Sequence, residues 1–264
     1  MFRGKPIRGF LLDITGVLYN SSDDGGQVIQ GSIEAIQRLY NESNVRFISN
    51  ESVHTRENLW KKLTRLGFDI NPEHLFTPAP FAADIVRTNN LRPFLLVHKN
   101  VLPEFDHLET TNPNCVVLGD AQDSFTFQNM NRAFKILMMN DNILFSMGSA
   151  QYYQRTDGPS LDVGAYAALF KSATNCKEVI IGKPNEDFFM KGVHDMGLQK
   201  SEVVMIGDDI LGDVKGAQEC GILGMQVMTG KWQAEWRNHN LVRPDFIGLN
   251  LKDIVDTILD GKMA

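Results

Sequence analysis

The chain has 264 residues, 43% hydrophobic and 22% charged, an ordinary globular composition with enough length for two compact units. A formal net charge of −6 without a dense Lys/Arg block argues against a nucleic-acid footprint and a polybasic membrane surface. No apolar run approaches the roughly 18 residues of a membrane span, and the first residues lack an apolar signal core.

Cys115, Cys176 and Cys220 are too widely spaced to suggest a disulfide framework or a zinc site. A cytosolic address is the expectation, with the nucleus left open.

The first element is the apolar run Gly9-Phe10-Leu11-Leu12, which ends at Asp13 and reads as a buried strand. Thr15 and Gly16 follow directly, so the backbone turns there. In an open α/β sheet, sites form beyond the carboxyl ends of strands, where Asp13 falls. An Asp that merely starts a turn fits the same residues equally well.

After the polar loop from Tyr19 to Gln30, Ile33, Ile36, Leu39 and Tyr40 recur at helical spacing. Val45-Arg46-Phe47-Ile48 reads as a second strand, ending in Ser49 and Asn50. Thr55 is suited to cap a helix carrying Leu59, Leu63 and Leu66, with Gly67 at its end. Strand, helix, strand, helix implies parallel strands, so Asp13 and Ser49 emerge on one sheet edge. Simple helix capping is the alternative reading of Ser49-Asn50.

From about Ala83 to Val179 a separate alternation begins. Phe94–Val97, Cys115–Leu118 and Ile143–Phe145 read as strands, and Asn129–Met139 and Gly164–Lys171 as helices. The expectation is an inserted α/β domain over 84–178, within a discontinuous core of 1–83 and 179–264. Its polar turn from Arg155 to Ser160, followed by Leu161-Asp162, reads equally as a substrate-facing loop or a surface turn.

In the last third, Glu178–Gly182 reads as a core strand running into Lys183-Pro184. Val203–Ile206 reads as another, running into Gly207-Asp208-Asp209-Ile210-Leu211-Gly212-Asp213. Three carboxylates within six residues repel one another, and a cation relieves that repulsion. Met225–Met228 completes the strands, and Leu251–Leu259 carries a helical apolar stripe.

Four strand ends thus supply, in order, an Asp, a hydroxyl with an amide, a Lys and an acidic cluster. A carboxylate can attack phosphorus covalently, while a metal ion and a Lys neutralise phosphoryl oxygens.

Asp13-Ile14-Thr15-Gly16-Val17-Leu18, Ser49-Asn50, Lys183-Pro184 and Gly207-Asp208-Asp209…Asp213 resemble the four motifs of haloacid dehalogenase-type phosphatases. The long insertion matches the position of an α/β (C2-type) cap on a Rossmann-like parallel-sheet core. Asn112–Val117, Gln128–Asn131, Leu161–Gly164 and Met205–Ile210 resemble a subgroup acting on phospholysine, phosphohistidine and inorganic pyrophosphate.

The resemblance implies Asp13 as nucleophile and Mg²⁺ held by Asp13, the Thr15 carbonyl and Asp208. It implies Ile14, Thr15, Ser49 and Asn50 around the phosphoryl group, and Lys183 offsetting charge. Asp209 and Asp213 stand as supporting residues behind the metal's ligands.

Many family members carry a second Asp where this chain has Thr15. A small phosphorylated compound or a phosphohistidine or phospholysine protein is the implied partner, and a homodimer the implied assembly. A non-catalytic phosphate sensor and a small-molecule phosphomonoesterase remain as alternatives.

Overall fold

The computed structural model describes residues 6–22, 25–139, 143–155 and 158–261. In chain order, β1 (Gly9–Leu12) leads to the short pair β2 (Tyr19–Asn20) and β3 (Gln27–Val28). Then come α1 (Ser32–Glu42), β4 (Asn44–Ile48), α2 (Arg56–Arg65), β5 (Leu75–Phe76) and α3 (Pro78–Thr88).

Next are β6 (Pro93–Leu96), β7 (Cys115–Leu118), α4 (Phe127–Leu137) and β8 (Ile143–Ser146). A hairpin of β9 (Tyr152–Arg155) and β10 (Gly158–Leu161) precedes α5 (Val163–Thr174) and β11 (Lys177–Ile180). The chain continues through α6 (Glu186–Asp195), β12 (Val203–Gly207), a π-helical turn (Ile210–Lys215) and α7 (Gly216–Glu219). β13 (Leu223–Val227), β14 (Phe246–Gly248) and α8 (Leu251–Leu259) complete it.

Two compact units result, one of Met1–Ser49, Leu59–Phe76 and Lys183–Ala264, the other of Asn50–Asn58 and Thr77–Gly182. These limits lie several residues outside the 84–178 segment read from sequence. The reason is α3, whose small face of Ala79, Ala82, Ala83 and Val86 packs with Val117 and Phe145 of the second unit.

Among the described residues the first unit holds a six-stranded parallel sheet in the order β14-β13-β12-β1-β4-β5. Side chains alternate faces along each strand. Phe10, Leu12, Val45, Phe47, Val204 and Ile206 therefore share one buried cluster with Leu39 of α1, Leu63 of α2 and Val255 of α8. Burying each large apolar side chain contributes roughly 1.5–3 kcal/mol.

Thr55 caps α2 as its sequence suggests, its Oγ1 accepting the Asn58 N–H at 3.1 Å. At the other end of α2, Gly67 takes φ +95°.

The second unit holds a four-stranded parallel sheet, β11-β8-β7-β6, with α3 packed on one face and α4 and α5 on the other. β11 corrects the sequence reading: it pairs with β8, Lys177 opposite Ile143, and is no part of the first sheet. Ile181 prolongs that pairing, its N–H donating to the Ser146 carbonyl at 2.7 Å.

Of the turn from Arg155 to Leu161, Thr156 and Asp157 lie outside the described residues. Asp162 caps α5, its Oδ1 accepting the Val163 N–H at 2.7 Å.

Candidate active site

Four consecutive buried residues deliver Asp13 to the end of the central strand β1. Its N–H donates to the Ile206 carbonyl at 3.0 Å, which locks β1 to β12 at the point where both strands end. Register with β4, Leu12 opposite Phe47, sets Ile48 level with Asp13 and Ser49 one step beyond. Ser49 is buried there, its N–H donating to the Phe76 carbonyl at 3.0 Å. Asn50 opens the segment grouped with the second unit, beside Gly182.

The turn after Asp13 is fixed by its own backbone. The Ile14 carbonyl accepts from the N–H groups of Val17 and Leu18, and the Gly16 N–H donates to the Tyr19 carbonyl at 2.7 Å. In a trans peptide the N–H and C=O point opposite ways, so this bond also aims the Thr15 carbonyl. The exposed Thr15 side chain places its hydroxyl 3.3 Å from the Tyr19 phenol.

Beyond β12 the chain bends into the π-helical turn. Asp213 and Val214 both donate backbone N–H groups to the Asp209 carbonyl. That winding returns the Asp213 carboxylate to the strand end, where its Oδ2 accepts the Asp209 N–H at 3.1 Å. Gly207 leaves room for it, since a Cβ there would lie 2.1 Å from Asp213 Oδ2.

Asp13, Asp208 and Asp213 consequently meet as buried carboxylates, each with an oxygen within 4.8 Å of the others. Lys183 answers two of the three charges, its Nζ 2.6 Å from Asp13 Oδ1 and 2.7 Å from Asp213 Oδ1.

Such crowding moves the titrations. Burial first, then the charges of Asp13 and Asp213, push the Asp208 carboxyl up to about 8. Burial pushes Asp213 up to about 7, with Lys183 pulling against it and Asp13 adding to it. Burial alone would lower the Lys183 ammonium, but Asp13 and Asp213 outweigh it and hold it above its ordinary value.

Asp209 behaves differently. Its side chain turns to the start of the following helical turn, accepting the N–H groups of Leu211 and Gly212, and pairs with Lys231 at 3.0 Å. Burial acts against the charged form there, yet Lys231 and the N–H groups win and hold it low. The structure thus separates two residues that the sequence ranked alike.

Asp208 also has partners that the sequence reading missed. Its Oδ2 accepts the Lys231 backbone N–H at 2.7 Å, and its carbonyl accepts Gln226 Nε2 at 2.7 Å. Its Oδ1 is buried and has no hydrogen-bond partner among the described residues. A buried carboxylate oxygen left so costs about 1–3 kcal/mol or more unless something answers it. Three hard oxygen donors, one of them unanswered, fit a divalent cation.

A haloacid dehalogenase-like hydrolase model matches residues 10–111, and a HAD-hydrolase-like model matches 180–254. The chain is 45% identical over 260 residues to a phospholysine phosphohistidine inorganic pyrophosphate phosphatase of Danio rerio, covering 98% of this chain and 96% of that one. The Homo sapiens protein of the same name is 46% identical over 255 residues, covering 96% and 94%.

The chain belongs to the haloacid dehalogenase-like hydrolases. With relatives named as phosphatases at 45–46% identity over nearly its whole length, it is a phosphatase of that family.

A 4-nitrophenylphosphatase from Thermotoga maritima superposes with a TM-score of 0.86 at 25% identity, covering 96% of this chain and 97% of that one. NagD from E. coli K-12 shares the fold, with a TM-score of 0.81 at 18% identity over 94% and 98% of the chains. Among the described residues of this hydrolase no helix is long and apolar enough to cross a membrane.

Proposed function

We propose that this hydrolase is a Mg²⁺-dependent phosphatase that cleaves P–N bonds and inorganic pyrophosphate through an aspartyl-phosphate. One observation carries the reading: a buried Asp13 carboxylate ion-paired to a buried Lys183 and set beside Asp208, whose Oδ1 is unanswered. The names of its relatives at 45–46% identity supply the substrate class. Small phosphoamides, pyrophosphate and phosphohistidine or phospholysine proteins fall within it.

Asp13, Asp208 and the Thr15 carbonyl are the residues to hold Mg²⁺. When bound, the ion neutralises carboxylate charge and the phosphoryl oxygens, and usually keeps several waters.

Asp13 acts as nucleophile. One of its oxygens forms a bond to phosphorus while the P–N or P–O bond breaks, and the departing group keeps the electron pair. Water then attacks phosphorus, and the bond from phosphorus to the Asp13 oxygen breaks with its electron pair left on that oxygen. The water's protons leave with the phosphate and to solvent, restoring the Asp13 carboxylate. Lys183 pairs with Asp13 beforehand and offsets the phosphoryl charge in the transition state. Ile14, Thr15, Ser49 and Asn50 orient the same oxygens.

Thr15 bears on specificity. A general acid contributes roughly 10²–10⁴-fold, mostly by protonating a poor leaving group. Phosphate departs as a stable anion and a phosphoramidate nitrogen takes its proton from solvent, so neither needs that acid. Alkyl monoesters do need it.

The test is phosphate release from imidodiphosphate, pyrophosphate and an alkyl phosphate, with and without Mg²⁺. Turnover of the first two, faster than of the monoester, and its loss in Asp13→Asn are expected. Substantial turnover by a folded Asp13→Asn protein rules out the covalent route. Phosphate binding without turnover of any substrate identifies a sensor instead.

A further inference from the structure

The end of β13 and the segment that follows it make three contacts that the chemistry above does not use. Gln226 Nε2 donates to the Asp208 carbonyl at 2.7 Å, and the Lys231 N–H donates to Asp208 Oδ2 at 2.7 Å. The Thr229 hydroxyl donates to the Gly16 carbonyl at 2.5 Å, across 213 residues of sequence. Two of these contacts orient Asp208, and the third reaches the loop that carries Thr15.

The packing between those loops is equally tight. Gly16 and Gly230 both take positive φ, +87° and +62°. A Cβ on either would stand 2.0 Å from Asp208 Oδ2, and a Cβ on Gly230 would stand 2.6 Å from Gly16 Cα. Asp208 Oδ2 is thus enclosed by two glycines and one N–H. With Oδ2 so held, Oδ1 is the oxygen left to meet Asp13 and Asp213.

Gly16 is pinned on both sides. Its N–H is taken by Tyr19 and its C=O by Thr229. The Thr15 carbonyl shares a peptide plane with that N–H, so the Tyr19 bond holds it directly, while the Thr229 bond fixes the next plane and limits rotation about Gly16 between them.

Resting on the magnesium reading above, we propose that Thr229 and Gly230 are positioning residues for the metal. They form a clip from the end of β13 that fixes the Thr15 carbonyl and the Asp208 carboxylate relative to each other before an ion arrives. Partners standing behind metal ligands typically change affinity by about 10–100-fold when lost.

Thr229→Val keeps the shape of the side chain and removes the donor, whereas Thr229→Ser keeps the donor. Mg²⁺ titration by calorimetry, without substrate, reads the clip directly. Thr229→Val is expected to raise the Kd for Mg²⁺ about tenfold, with Thr229→Ser within about twofold of the parent. At saturating Mg²⁺ the kcat of Thr229→Val should return to within about threefold of the parent, so the loss sits in metal affinity. Gly230→Ala should weaken Mg²⁺ binding at least as much, because its Cβ meets Asp208 Oδ2.

Unchanged Mg²⁺ affinity in Thr229→Val, or equal losses in the Val and Ser variants, overturns the clip and leaves the magnesium reading standing. Failure of the parent protein to bind Mg²⁺ overturns both.

Discussion

Replacing Asp208 by Asn removes one of three mutually repelling carboxylates while conserving volume. The Asn oxygen can still accept the Lys231 N–H, and its amide nitrogen then occupies the place of Oδ1, where it can donate to the neighbouring carboxylates. In the metal-free protein the Asp208 carboxyl is raised from 3.8 to about 8, and the residue is 2% exposed. At about 1.4 kcal/mol per unit, ionising it in the fold above that pH costs at most roughly 5–6 kcal/mol.

Asp13 and Asp213 remain in the variant and share that cost, so the substitution should recover about 2 kcal/mol. For a chain of this size, that is a rise in metal-free Tm of about 4–8 °C. Mg²⁺ reverses the order. The parent gains about 2.7 kcal/mol at an ion concentration of roughly a hundred times its Kd, and the variant loses most of that gain. Differential scanning calorimetry after chelation, with and without millimolar Mg²⁺ at mildly alkaline pH, reads both effects. A metal-free Asp208→Asn protein that melts below the parent would refute the repulsion argument. An Mg²⁺ shift of equal size in both proteins would put the metal somewhere other than at Asp208.

In the metal-free parent, Asp208 and Asp213 retain protons in the fold that the unfolded chain releases near 3.8. Their stabilising contribution is full below that value and is lost as pH rises through about 7 and 8. Metal-free Tm should therefore fall from about pH 5 to about pH 8 while the Mg²⁺ shift grows, and a flat metal-free profile would contradict this. Lys183→Met leaves Asp13 and Asp213 buried without their cation, for a loss of about 3–5 kcal/mol in chemical denaturation together with turnover. Retained stability would mean that the acid cluster relaxes on its own. Thr15→Asp should raise alkyl-monoester turnover relative to imidodiphosphate by up to about 10²-fold, read as a ratio of kcat/KM values. No change in that ratio means the new carboxyl does not reach the leaving group.

Much of the site was legible because its two central strands, β1 and β12, are short, fully buried runs ended by polar residues. Gly9–Leu12 before Asp13 and Val203–Gly207 before Asp208 are of this kind, and apolar continuity marks a strand covered on both faces. What could not be read is which strands pair. Glu178–Gly182 looks the same whichever sheet it joins, and only its bonding to β8 assigns it to the second unit.

Helix α3 escaped notice because its buried face is, apart from Val86, built of Ala and Pro, which give little hydrophobic periodicity. β5 and β14 are two and three residues long, too short for any pattern. Asp213 could not be ranked above Asp209 without the π-helical winding that carries it back to the strand end. The Thr229–Lys231 contacts were invisible for another reason: each has a backbone group on one side and glycines close around them, and neither carries a chemical signature in a sequence.

The central position of β1 has a consequence for the birth of the protein. Lys183 follows Asp13 by 170 residues, and β1 pairs with β12, which lies later still. At about 5–20 residues per second, a ribosome needs on the order of 10–30 s to make the intervening chain. During that interval Asp13 exists without its counter-cation, its acidic neighbours or one wall of its sheet. A growing chain is therefore catalytically silent until nearly all of it has emerged, and a message truncated before β12 yields no partial phosphatase.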